Sequence, residues 1–100
     1  MSFRRPHSKP DASTQTIVDE LRAVGYVVIY VSRPTDLLVT HPSWPPNTFR
    51  LLECKSPKGK KGVLKLRKDQ DDQYRFCMEH GVPYVVTGAG AIMWLQSNAP

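Results

Sequence analysis

The feature that most limits how this chain can fold is a succession of three short apolar runs at 26–31 (YVVIYV), 36–40 (DLLVT) and 49–54 (FRLLEC). All are too short for helices and the first is β-branched or aromatic throughout, so they read as strands. Arg33-Pro34-Thr35 separates the first two, and HPSWPPNT separates the second from the third. Prolines cannot donate to a ladder, so both separators are turns, and residues 36–54 read as a hairpin. The first run is apolar on both faces, which suits a strand covered by helices.

Helical periodicity brackets this block. Ser13 or Thr14 can cap a helix whose apolar stripe is Ile17, Val18, Leu21 and Val24, with Gly25 as its stop. A second helix is expected over 66–80, with Leu66, Tyr74, Cys77 and Met78 as its apolar face and Gly81 at its end. PYVVT at 83–87 reads as a fourth strand. Residues 89–96 read as a short last helix bringing Ile92, Met93, Trp94 and Leu95 to the core. The expected order is α-β-β-β-α-β-(α): an α/β domain with a mixed β-sheet flanked by helices. Residues 1–12 read as a flexible basic arm, 13–100 as a single domain, and SPKGKKG at 56–62 as an exposed loop.

At 100 residues the chain suits one domain. No apolar run approaches the roughly 20 residues of a membrane span, and no h-region follows the N-terminal arginines, so a soluble, cytoplasmic protein is expected. Cys54 and Cys77 lack the spacing of a disulfide framework or a zinc site and read as small buried thiols. The net charge is +5 and its basic residues are clumped: Arg4, Arg5 and Lys9, then Lys55, Lys58, Lys60, Lys61, Lys65, Arg67 and Lys68. Such a distribution favours an anionic partner, nucleic acid first.

Asp36, Glu53 and Lys55 are the charged residues inside the strand block that invite a chemical reading. Side chains on a strand alternate, so Glu53 and Lys55 share a face and Cys54 takes the other. A hairpin of the second and third strands would bring Asp36 to the same end as Glu53. Two carboxylates at a strand end suit a divalent cation such as Mg2+, and a nearby lysine can stabilise charge developing on phosphorus. Spacing alone favours a cross-strand ion pair on a solvated face, and the chemical reading rests on the surrounding context.

The segments Arg33-Pro34-Thr35-Asp36-Leu37-Leu38-Val39 and Leu51-Leu52-Glu53-Cys54-Lys55-Ser56-Pro57, followed by a basic loop and a glutamine-bearing helix, resemble the PD-(D/E)XK nuclease superfamily. The likeness is nearest to the small VRR-NUC-like endonucleases of phages and bacteria and covers roughly residues 14–88. It implies a restriction-endonuclease-like core and Mg2+-dependent hydrolysis of DNA, with Mn2+ able to substitute. By the same resemblance Asp36 and Glu53 are metal ligands, the Cys54 carbonyl is a further ligand, and Lys55 orients or activates water. A glutamine of the following helix joins them: Gln70, in register with Leu66, Tyr74 and Cys77, or Gln73, in the run Q-x-x-F. Relatives carry a glutamate on the first helix where this chain has Gln15, with Glu20 the nearest acid, which weakens the case for a second metal ion. A homodimer acting on branched or junction DNA is also implied.

Lys58, Lys60 and Lys61 are placed to meet a phosphate backbone, with Arg4 and Arg5 extending the contact. Trp44 can stack on an unpaired base, meet a second subunit or simply pack in its turn. His7, His41 and His80 have no ligand spacing, although His41 is close to Asp36 in sequence. The alternative reading is a non-catalytic nucleic-acid-binding module on the same fold.

Overall fold

A computed structural model describes residues 12–55 and 68–100, with the side chains of 68–71 excepted. The elements are α1 (Ala12–Ala23), β1 (Val27–Tyr30), β2 (Leu37–Thr40), β3 (Arg50–Cys54), α2 (Lys68–His80), β4 (Tyr84–Val85) and α3 (Gly88–Ser97). Each lies within about two residues of its expected bounds. The N-terminal arm up to residue 11 and the lysine-rich loop, with Lys58, Lys60, Lys61, Arg4 and Arg5, lie outside the described residues.

The four strands form one mixed sheet in the order β1-β2-β3-β4. The first three are antiparallel neighbours, and β3 pairs with β4 in parallel. A parallel pair needs a crossover, which the segment containing α2 supplies. α1 ends where the sequence places a stop: Gly25 adopts φ +101°. Its N–H donates to the Arg22 carbonyl at 3.1 Å, and the N–H of Tyr26 donates to the Leu21 carbonyl at 3.1 Å. This is a Schellman closure, which turns the chain straight back into β1.

Strand alternation sorts the sheet into two faces. Val28, Leu37, Val39, Leu52, Cys54 and Val85 meet Ile17, Val18 and Leu21 of α1 and Ala91 and Leu95 of α3 in the core. Cys54 therefore points away from Glu53, as the period of two requires. The opposite face carries Glu53, Lys55 and Tyr84, with α2 against it.

Several expectations need correction. β1 is an edge strand with helices on one face only, and Val27 is 45% exposed. Val24, Met78 and Met93 lie outside their helices' buried faces, each more than half exposed. α2 differs from its expected setting: Cys77 is buried and Gln73 and Phe76 are half-buried, while Met78 is 66% exposed and Tyr74, 39% exposed, meets the Tyr84 ring edge-on. Trp44 packs in its turn, with the Tyr26 ring at 6.1 Å and the Arg50 guanidinium 5.6 Å from its ring centre. Both cysteines are free and buried. No described helix is long and apolar enough to cross a membrane.

Candidate active site

The β2–β3 hairpin brings Asp36 and Glu53 together. Leu37 is paired with Leu52, so the residues just beyond that pair, one before β2 and one further along β3, are neighbours at the same sheet end. The main-chain N–H of Asp36 donates to Glu53 Oε1 at 3.1 Å. In return the N–H of Cys54 donates to Asp36 Oδ2 at 2.9 Å. Each carboxylate is thus fixed by the other residue's strand. Because the N–H and C=O of one strand residue point the same way, the Cys54 carbonyl is also directed to the Asp36 side.

β4 holds the far edge of the site. The N–H groups of Glu53 and Lys55 donate to the carbonyls of Pro83 at 3.0 Å and Val85 at 2.9 Å. Lys55 Nζ lies 3.8 Å from Glu53 Oε2, a long ion pair, and 5.4 Å from the centre of the Tyr84 ring. The sequence expectation that Glu53 and Lys55 share a face holds.

α2 contributes Gln73. Its Nε2 donates to Glu53 Oε1 at 3.2 Å and to the carbonyl of Pro34 at 3.0 Å, tying the helix to both the strand and the turn before Asp36. Of the two glutamine candidates, Gln73 is the one seen at the carboxylates. The Gln70 side chain lies outside the described residues.

The charge balance of the site is uneven. Glu53 is 3% exposed, and its carboxyl is pushed up to about 7, first by burial and then by the Asp36 charge, with Lys55 opposing. Burial also raises the Cys77 thiol and takes the Tyr84 hydroxyl to about 12, with the Glu53 charge adding to the first and the Cys77 charge to the second. Two carboxylates against one distant ammonium make an oxygen-rich edge that could bind a hard dication, with water and phosphate oxygens completing its shell. Among the described residues no group of three or more His, Cys, Asp and Glu side chains converges as a metal cage.

Comparison with family models, with characterised proteins and with solved structures gave no match.

The helices add a field that the sequence did not foretell. Gln15 in the first turns of α1 accepts from the Tyr30 hydroxyl at 3.1 Å, beside the Leu37–Leu52 pair. α2 reaches the carboxylates with Gln73 and ends with His80 beside Arg50, at the opposite end of β3. α3 starts directly after β4 and ends with the Asn98 carbonyl accepting from Arg50 Nε at 2.9 Å. All three helices therefore start at the end of the sheet that holds Asp36, Glu53 and Lys55. Their positive dipole ends favour an anion approaching that edge.

Other candidates are not brought together. Glu20 packs on α3, where a Cβ on Gly88 would lie 2.8 Å from the Glu20 Cβ, and it does not join Asp36 and Glu53. Gln15 bonds Tyr30 and, through Nε2, Asp19 at 2.8 Å. His41 sits at the opposite end of β2, with its Nδ1 accepting from the Ser43 N–H at 3.1 Å. Sequence reasoning missed Tyr84 and the Pro34 carbonyl. No local signal marks Tyr84, because its place beside Glu53 is set by the parallel register of β3 and β4.

Proposed function

We propose that this chain is a metal-dependent endonuclease with a restriction-endonuclease-like core, hydrolysing phosphodiester bonds in DNA. The observation that carries the reading is the mutual fixing of Asp36 and Glu53 across the hairpin, with Lys55 and Gln73 on the same edge. Structural ion pairs do not need a second carboxylate held beside the buried Glu53. A site that must bind a dication does, because the two charges are balanced only when the ion is present.

In this reading Asp36, Glu53 and the Cys54 carbonyl would hold Mg2+ or Mn2+. Such an ion, when bound, supplies Lewis-acid stabilisation of a phosphoryl oxygen and a more acidic water. Lys55 holds its ammonium where negative charge grows on the scissile phosphate. Gln73 keeps Glu53 Oε1 and the turn at Pro34 in register, so that Asp36 and Glu53 stay aimed at one point. The helix N-termini favour the phosphate at this edge. The lysines of the following loop add salt-sensitive affinity without reading sequence. The hydroxyl–imidazole pair Ser43–His41, at 2.8 Å, lies at the opposite end of β2 from the carboxylates, so water is the attacking group in this reading.

The reading extends to branched DNA as substrate and to a homodimer, the latter checked by light scattering in solution. The deciding experiment incubates wild type, Glu53→Ala and Lys55→Ala with supercoiled, linear and four-way-junction DNA, with Mg2+, Mn2+ or EDTA. Cleavage by wild type alone, only with metal, is expected. Binding without cleavage under every condition would replace the enzyme reading with that of a binding module.

A further inference from the structure

Lys55 is the one site residue whose reactive atom sits at the end of a long, flexible side chain. A lysine ordered only by a 3.8 Å ion pair to Glu53 would swing freely, and a bound cation would compete for that carboxylate. The structure provides a second restraint. β4 is in register with β3 so that Tyr84 stands beside Glu53, and its ring face lies 5.4 Å from Lys55 Nζ. The ring is itself held: Tyr74 of α2 meets it edge-on at 6.0 Å and 84°. An ammonium over an aromatic face is attracted by the ring quadrupole, and this attraction survives when the carboxylate is taken up by a cation.

We propose that Tyr84 is a positioning residue for the reaction, its ring holding the Lys55 ammonium at the phosphate edge when Glu53 is engaged elsewhere. The inference rests on the nuclease reading above for its catalytic consequence, but the contact between Tyr84 and Lys55 can be measured without activity. It also explains why a two-residue strand carries an aromatic at this position: Tyr84 is half-buried, wedged between helix and lysine. It is the ring and not the hydroxyl that faces Lys55, since Nζ lies over the ring centre.

The test compares wild type with Tyr84→Phe, which keeps the ring, and Tyr84→Leu, which removes it. Cleavage kinetics with Mn2+ should show kcat falling roughly ten-fold in Tyr84→Leu with KM for DNA little changed, and recovering in Tyr84→Phe. NMR of the Lys55 ε-methylene, assigned by its loss in Lys55→Arg, should show an upfield ring-current shift in wild type and Tyr84→Phe that disappears in Tyr84→Leu. Should Tyr84→Leu fail to fold, Tyr84→Met fills the space without a ring face and is read in the same way. A Lys55 signal indifferent to loss of the ring, or full kcat in Tyr84→Leu, overturns the positioning role. An inactive wild type whose Lys55 signal is shifted overturns the nuclease reading and leaves the contact standing.

Discussion

Asp36 and Glu53 hold one another in place: the backbone N–H of Asp36 is bound by the Glu53 carboxylate, while the Asp36 carboxylate binds the N–H that follows Glu53. Two acids that repel are thereby kept at one edge of the sheet. The protein accepts an electrostatic cost at this point that a structural pair would avoid.

That cost should be visible as pH-dependent stability. The carboxyl of Glu53 is raised from 4.5 to about 7 in the folded state, so the fold binds this proton more tightly than the unfolded chain does. Its contribution is fully present below the unfolded value and is lost as pH rises through about 7. Glu53→Gln removes the charge while keeping an acceptor for Asp36 N–H. Thermal unfolding should show Glu53→Gln more stable than wild type at pH 8, with the gap closing toward pH 4, and metal-dependent cleavage lost. A wild type that is the more stable of the two at pH 8 would refute this.

Asp36→Ala should behave differently, because it strips the Cys54 N–H of its acceptor. A cost of about 1–3 kcal/mol in urea unfolding is expected. Asp36→Asn keeps an acceptor and should lose less than half of that. Calorimetric titration with Mn2+ should find both variants weakened relative to wild type.

Gln73 joins the turn at Pro34 to Glu53, so Gln73→Ala should lower cleavage by roughly ten- to a hundred-fold for loss of these charge-assisted and neutral bonds. Gln70→Ala is the comparison. An equal or larger loss in Gln70→Ala would give the principal role to Gln70.

Gly88 begins α3 where the Glu20 side chain crosses it, with no room for a Cβ. Gly88→Ala should lose about 1–3 kcal/mol through overpacking. Adding Glu20→Ala should recover part of it, which denaturant unfolding of the double variant checks. Glu20→Ala alone should leave Mn2+ affinity at the wild-type value, since Glu20 serves the α1–α3 contact and not the carboxylate pair.

Much of this site is legible in the amino-acid order. Alternation on LLECKS puts Glu53 and Lys55 on one face and Cys54 on the other, and the hairpin points Asp36 toward them. Helix rotation is where the pattern misleads. The expected stripe included Tyr74 and Met78, but Tyr74 is 39% and Met78 66% exposed, while Cys77 is buried and Gln73 half-buried. An apolar stripe of four residues leaves a helix free to turn by the width of one side chain, and α2 settles where Gln73 meets two acceptors.

The order of elements, the stop at Gly25 and the face each strand residue takes are written in the chain, because they follow from local sterics and the period of two. Long-range packing made the remaining choices: β4 lies parallel beside β3 with Tyr84 next to Glu53, and α1, α2 and α3 all start at the carboxylate end. Those relations depend on which strands pair across long stretches of chain. Local propensities are silent on that choice, and burial of the shared core makes it.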